Sequence, residues 1–523
     1  MPIVAKRILW VDDEVELLEP HLIFLRQRGY HVDTTANGDD ALAMVRARSY
    51  DLVLLDEQMP GRSGLEVLAA LRREVPHSRV VMVTKSDEDR TLLEAIGRRV
   101  DDYLVKPASP RQVLSVVTRL LEGSQLQQQR AAQDFASRFP DLSRRCADAT
   151  GWRDFFALYD ELVDWDLRVR EAGEAGLGDS VQALLADLRR QFGAYVRREY
   201  GGWAALEGRT EDRPPLSTDL VERRLVPLLD NGPVLFVVID CLRLDQWRAI
   251  RPLLAADFDL EEELYCSILP TATPYARNAL FSGCFPDEIA HRRPEWWTSD
   301  EGSRNAFEDE LLREQLRRLT GRDVPVHYEK VFTDADADDL VGRVRGALRG
   351  YGVTAVVFNF VDLLTHGRSE SVVLQEVARD DAALRALTRQ WFEQSAARRV
   401  LREAYARRVP VVLTTDHGAI LCERPLTVYA RRDATTNLRY KFGQDLRAED
   451  PQAVFEVDDE RVLRLPPGRL ATNYLLALED YFFVYPTKLR EYQARYKGSF
   501  LHGGVSPEEM ILPVSVLLPR AWS

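Results

Sequence analysis

The chain has 523 residues, 45% of them apolar and 29% charged, which is enough to bury several cores and too apolar for disorder. Its 70 Lys and Arg against 83 Asp and Glu give a net charge of −13, so the basic excess of a duplex-DNA binder is missing. The five cysteines form no C-x-x-C pair, the opening MPIVAKRILWVDDE puts acids where a secretory leader needs an apolar run, and no apolar stretch is long enough to span a membrane; a soluble, cytoplasmic protein of several domains is expected.

Over residues 1–122, apolar runs at 7–11, 32–35, 52–55, 80–84 and 102–105 alternate with segments of helical spacing, such as Ala41, Leu42 and Val45. Five such units predict a doubly wound parallel sheet. Residues 123–213 change texture: QLQQQRAAQDFASRF, DFFALYDELVDWDLRVREAG and DSVQALLADLRRQFGAYVRREYGGW read as helices of a bundle or spacer, with no chemical constellation. EDRPPLST, at 211–218, marks a boundary. Beyond it VLFVVID, TAVVFNFVD and VPVVLTTDHG are nearly continuous apolar runs, the pattern of a parallel-rich sheet buried on both faces, so 214–523 is expected to form a large α/β domain.

Asp12 and Asp13 close the first strand run, Asp56 closes the third and Thr84 the fourth, while Lys106 follows the fifth. In a doubly wound sheet these strand ends share one crevice. Three carboxylates there repel unless a cation joins them, and hard oxygen ligands suit Mg²⁺. One aspartate can then attack a phosphoryl group, with Thr84 and Lys106 holding the new oxygens. The alternative, that these residues only cap helices, accounts for each singly but not for all five in order. WVDDE, LLDEQMPGRSG, MVTK and DYLVKP together resemble a response-regulator receiver domain, a flavodoxin-like fold, across 1–122. The resemblance implies Asp56 as phospho-acceptor, Asp12 and Asp13 as Mg²⁺ ligands with the Gln58 carbonyl, Tyr103 as the aromatic switch residue, and a sensor histidine kinase as partner.

The carboxy-terminal region holds a second constellation. One strand run ends in Asp240, another in Asp362 with His366 four residues on, a third in Asp416–His417, and His502 lies in FLHGG. Asp362 and His366 can meet on one face of a helical turn, whereas the adjacent Asp416 and His417 diverge, which favours two neighbouring metals over one. Only eight histidines occur in the chain, and three fall in these contexts. Mixed His and Asp ligands suit Zn²⁺, with Mn²⁺ as the alternative. Three carboxylates and two divalent ions leave the centre at about +1, suited to a phosphate ester. The nucleophile is sought in LPTATPYARNALFSG, where a strand turns into a helix whose first N–H groups favour phosphate. Thr271 and Thr273 both offer a hydroxyl there. Thr271 is preferred, and either could instead be a helix N-cap.

This second set resembles the alkaline phosphatase superfamily, specifically its PglZ branch, over roughly 214–523, with HGGVSPEEMILP as the closing motif. The resemblance implies one ion on Asp240, the threonine, Asp416 and His417, and another on Asp362, His366 and His502. The receiver, spacer and PglZ domain together resemble response regulators associated with type IX secretion. The expected function is therefore a zinc-dependent phosphodiesterase, with two Zn²⁺ per chain, controlled by phosphorylation of Asp56 and by pairing of receivers into a homodimer. Oligonucleotides or cyclic nucleotides are the expected substrates. The mixed aromatic and cationic segments NLRYKFG and REYQARYKGSF permit them, and the resemblance suggests them. The alternative is a phosphorylation-switched scaffold for a sigma factor or secretion component, with a structural or vestigial metal site. Residues 285–350 and 423–500 are expected to cap the site, and Trp296–Trp297 reads as cap packing or as an interface.

Overall fold

The computed structural model describes residues 6–521 except 76–77, 86–99, 173–174, 206–211, 298–304, 333–336, 369–371, 431–434, 436 and 468–471. The crossover helix expected between Thr84 and Asp102, and the first residue of the 211–218 boundary, lie outside the described residues. Two compact units emerge: Met1–Ser137 with Val169–Ala175, and Arg138–Arg168 with Gly176–Ser523.

In the first unit, β1 (Arg7–Val11), β2 (His31–Thr35), β3 (Leu52–Asp56), β4 (Arg79–Thr84) and β5 (Asp102–Val105) form a parallel sheet in the order β2-β1-β3-β4-β5. Alternate residues of one strand feed two cores. Ile8 and Trp10 join Leu22, Val113 and Val117 on one face, while Leu9 and Val11 join Leu42, Val67 and Leu71 on the other. Helix starts are encoded locally: Asn37 accepts the Asp40 N–H, and Ser63 with Glu66 forms a capping box. Gly64 opens that second helix where any Cβ would strike the Asp56 carbonyl, so a glycine lets the helix close against the strand that ends in Asp56.

The main sheet of the second unit uses β6 (Val234–Ile239), β7 (Phe258–Cys266), β8 (Val326–Val331), β9 (Val353–Phe358), β10 (Val411–Thr414) and β19 (Ile511–Pro519), ordered β7-β19-β10-β6-β9-β8. β10, β6, β9 and β8 run parallel, and β19 is antiparallel to β10 and β7. Every residue of β6, β9 and β10 is buried, as their unbroken apolar runs require. Segment 285–350 does not form a separate cap, because it contributes β8 to this sheet and its helix Glu308–Thr320 to the core beneath. Segment 423–500 does form structure apart from the main sheet. It builds two small three-stranded sheets, β14-β12-β17 and β13-β16-β15, from β12 (Arg424–Tyr429), β13 (Tyr440–Gly443), β14 (Arg447–Ala448), β15 (Val454–Val457), β16 (Asn473–Ala477) and β17 (Tyr481–Val484). Beside them β11 (Ile420–Cys422) pairs with β18 (Ser499–Leu501).

Of the helical segment expected as a bundle or spacer, residues 123–137 and 169–175 fall in the first unit, and 138–168 with those from 176 on fall in the second. Its helices around Tyr159 and Tyr200 belong to the second unit, where the Tyr200 hydroxyl accepts the Leu269 N–H at 2.8 Å and Arg189 pairs with Glu508 at 2.7 Å. Trp296 and Trp297 pack against the main core, Trp296 stacking on Phe307 and Trp297 tilting over Tyr275. All five cysteines are free and buried.

Candidate phosphoryl-transfer sites

In the first unit, the parallel strands deliver Asp12, Asp56 and Thr84 to one end of the sheet with almost no exposure. Oxygens of Asp12, Asp13 and Asp56 lie within 4.8 Å of one another. Lys106 Nζ sits 2.9 Å from both Asp12 and Asp56, and Asp12 also accepts the Glu14 N–H. Burial pushes the Asp56 carboxyl up, with the Asp12 charge adding to this, while Lys106 and the Gln58 backbone pull it down. Asp56 Oδ1 is buried and accepts no hydrogen bond, which leaves a ligand position among the carboxylates for a hard cation. The Gln58 side chain is exposed, and Tyr103 packs at the edge of the core beneath the sheet.

In the second unit the register of the parallel strands assembles the other set. Ile239 pairs with Phe358, and Val238 with Thr414. Asp240, Asn359 and Thr415–Asp416 therefore leave neighbouring strands at the same level, and Asp362 follows in the first turn of the helix Phe360–Arg368. The β11–β18 pairing sets Leu501 opposite Ile420 and so brings His502 to His417; their rings stack with centroids 4.3 Å apart. His502 Nε2 lies 2.9 Å from His366 Nε2 and 3.5 Å from Asp362 Oδ1, with His366 3.3 Å from the same oxygen. Asp240, Asp362 and His417 form a second trio whose ligand atoms fall within 4.8 Å.

Crowded carboxylates and imidazoles set the electrostatics of this cluster. Burial drives the Asp240 carboxyl well above its usual range, and the charges of Asp416 and Asp362 add to this against the pull of Arg277. Asp362 is held down, in spite of its burial, by His366, His502 and His417, and His502 is pushed well below the usual histidine range by burial and by its two histidine neighbours. Asp240 Oδ1, Asp362 Oδ1 and Asp416 Oδ2 are buried and accept no hydrogen bond. Two nitrogens face each other and three carboxylates each keep an open oxygen, so this donor set fits divalent ions of the zinc type.

The two threonines differ. Thr273 opens the helix Thr273–Ser282, and its Oγ1 stands 3.0 Å from His417 Nε2. The Thr271 hydroxyl is fully buried and already committed, donating to the Gly504 carbonyl at 2.8 Å and accepting the Gly503 N–H at 3.1 Å. Of the two candidates, Thr271 being the one preferred from the sequence, only Thr273 turns its hydroxyl toward the ligand cluster.

Sequence reasoning missed Arg277. It is 2% exposed, hydrogen-bonds Asp240 at 3.0 Å, pairs with Glu308 at 3.0 Å, and lies 3.6 Å from Asp416. The available signal was its position four residues after Thr273, on the same helix face. Asn359, 3.4 Å from Arg277, was also missed, as was Thr415, which accepts the Leu242 N–H and donates to the His417 carbonyl. Among the described residues no helix is long and apolar enough to cross a membrane.

A phospho-acceptor sheet and a His/Asp-rich α/β unit on one chain define a response regulator with a phosphoesterase-type effector. Residues 220–517 match the BREX system PglZ alkaline phosphatase-like domain, 8–118 the response regulator receiver domain, and 125–204 the PorX response regulator linker domain. The chain belongs to the PglZ alkaline phosphatase-like family, in the receiver–PglZ fusion form carrying the PorX linker. Among curated proteins, the transcriptional regulatory protein ResD of Bacillus subtilis is 38% identical over 115 residues, 22% of this chain and 48% of ResD. The alginate biosynthesis regulator AlgB of Pseudomonas aeruginosa is 38% identical over 120 residues, 23% of this chain and 27% of AlgB. The chain thus spans about half or less of the length of these relatives. A solved structure of response regulator TrrA from Thermotoga maritima, in complex with Mg²⁺ and BeF, is 37% identical, covering 22% of this chain and 99% of TrrA, with a TM-score of 0.21.

Proposed function

We propose that the second unit is a metal-dependent phosphodiesterase with Thr273 as its nucleophile, switched by phosphorylation of Asp56. The observation that carries this reading is the Thr273 hydroxyl, 3.0 Å from His417 Nε2, at the first turn of a helix whose N–H groups suit a phosphate. Asp240, Asp416 and His417 with Thr273 would hold one Zn²⁺, and Asp362, His366 and His502 the other. Bound there, the ions would supply Lewis acidity, easing loss of the threonine proton and balancing charge on the phosphoryl oxygens.

The chain's own residues account for the rest. His417 Nδ1 lies 3.1 Å from the Gly418 carbonyl, which can only accept; Nδ1 thus carries the proton, and the Nε2 lone pair is left for the ion that His417 would share with Thr273. Arg277 braces Asp240 and stands beside Asp416, so these carboxylates keep their aim when the hydroxyl is engaged. Attack by Thr273 Oγ forms a P–O bond as the bond to the leaving alkoxide breaks. The hydroxyl proton passes to solvent water, and water returns a proton to the leaving oxygen. Water then hydrolyses the phosphothreonine and restores the hydroxyl.

In the first unit, phosphate transferred from a sensor histidine kinase to Asp56 would break the Asp56–Lys106 contact, and Lys106 and Thr84 would turn to the new oxygens. Pairing of two phosphorylated receivers is the proposed consequence. Oligonucleotides or cyclic nucleotides are the proposed substrates, and control of type IX secretion the proposed setting. Hydrolysis of a generic phosphodiester by zinc-loaded protein, with Thr273→Val and chelator as controls, tests the reading. Undiminished turnover in Thr273→Val would defeat the nucleophile assignment, and turnover in metal-free protein would defeat the metal dependence.

A further inference from the structure

If Thr271 does not attack phosphate, its buried hydroxyl needs another account. Its three polar contacts all end on one loop. Its Oγ1 donates to the Gly504 carbonyl and accepts the Gly503 N–H, and its own carbonyl lies 3.2 Å from His502 Nδ1. A carbonyl can only accept, so His502 carries its proton on Nδ1 and turns an unprotonated Nε2 toward His366 and Asp362.

The other side of the loop is gripped equally firmly. The Gly504 N–H donates to Glu509 at 2.9 Å, Ser506 Oγ donates to the same carboxylate at 2.8 Å, and fully buried Arg439 closes the pair. Gly503 has a φ of +114°, and a Cβ there would meet the Tyr440 ring. A Cβ on Gly504 would meet the Ala477 carbonyl and the Arg439 guanidinium. The two glycines let the backbone pass through a space walled by Tyr440 and Arg439, and Thr271 reaches the inner edge of that passage.

We infer that Thr271 is the positioning residue of His502: its hydroxyl pins Gly503–Gly504 and its carbonyl selects the imidazole tautomer that can serve as a ligand. The inference rests on the metal-dependent reading of this site and goes beyond it, since it gives Thr271 a role in ligand preorganisation. A β-branched residue is suited to the task because its restricted side chain loses little freedom in holding the hydroxyl between two backbone groups.

The test titrates full-length, metal-stripped protein with Zn²⁺ by calorimetry. Thr271→Val should bind one equivalent as the unaltered protein does and the other about 10–100-fold more weakly, the usual consequence of removing an outer-shell partner. Its phosphodiesterase activity should fall at limiting Zn²⁺ and recover at saturating Zn²⁺. Thr271→Ser, which keeps the hydroxyl, should restore tight binding. A nucleophile could not be replaced by added metal, so loss of activity that excess Zn²⁺ fails to recover, with both equivalents still tight, would overturn the inference. Nitrogen NMR of His502 in the unaltered, metal-free protein gives a reading independent of variant folding: an Nδ1–H tautomer is expected, and an Nε2–H tautomer would overturn it. Thr273→Val separates the two readings. It should stay inactive at every Zn²⁺ concentration, and if it is active the nucleophile assignment fails while the Thr271 titration remains decisive.

Discussion

Both units gather aspartates at the carboxyl ends of parallel strands, yet they neutralise them differently. Around Asp12 and Asp56 the cation is Lys106, a long single chain with 21% of its side chain exposed and 2.9 Å from each carboxylate. Around Asp240 and Asp416 it is Arg277, 2% exposed and tied also to Glu308. A lysine ammonium is a mobile point charge that can leave one oxygen for another. A buried guanidinium held by several partners is a fixed brace. The first arrangement suits a pocket whose charge changes, and the second suits one whose geometry must survive turnover. Histidines sharpen the contrast: the second site holds His366, His417 and His502, whereas the acid cluster of the first is made of carboxylates alone.

The largest expected effect falls on the rigid site. Thr273→Val keeps the β-branched shape, so turnover of a phosphodiester should fall at least about 10³-fold while circular dichroism stays unchanged. A smaller fall would place the nucleophile elsewhere. Replacing Asp416 or His417 by Ala should cost both metal and activity, with atomic absorption showing close to one Zn²⁺ lost per chain. Two ions retained with activity gone would separate ligand from catalyst at these positions.

The mobile site should respond to charge rather than to shape. Beryllofluoride with Mg²⁺ should shift full-length protein from monomer toward dimer in sedimentation, and Asp56→Ala should abolish the shift. An unchanged single species would remove receiver pairing as the switch and leave uncapping within one chain. Lys106→Met tests the charge argument directly. Since Lys106 holds the Asp56 carboxyl down against burial, its removal should raise that carboxyl further and make mimic binding weaker as pH falls.

The smallest effect belongs to the receiver's surface. Burial raises the Asp33 carboxyl, but Arg7, Tyr50 and Arg48 together hold it below its usual range. The folded-state pKa is thus below the unfolded value, so this stability is present above pH about 4 and is lost as pH falls through the folded pKa. Asp33→Asn should cost about 1 kcal/mol or less at neutral pH and flatten the acid limb of the β1–β2 amide exchange.

The metal-ligand candidates were legible because each sits at the end of a recognisable apolar run or in a short local spacing: Asp240 after VLFVVI, Asp362 with His366 on one helical turn, Asp416–His417 after VVLTT. The choice between Thr271 and Thr273 was not. Both lie in the same five-residue turn, and which hydroxyl is free depends on Gly503 and Gly504, more than 230 residues away in the chain. Arg277 was overlooked for a related reason: a lone arginine in a helix reads as solvated until Glu308 and Asp240 are folded over it.

By itself the sequence determined the alternation of strands and helices, the five-strand parallel sheet and the candidate ligands at strand ends, because hydrophobic period and strand-end position are local properties of the chain. Only the tertiary structure decided what depends on distant backbone. It drew β8 from a supposed cap into the main sheet, placed the helices around Tyr159 and Tyr200 in the second unit, and turned Thr273 toward His417 while closing Thr271 within the HGG loop. A hydroxyl's role follows from which donors and acceptors remain unpaired around it, and that accounting closes only when the chain has folded.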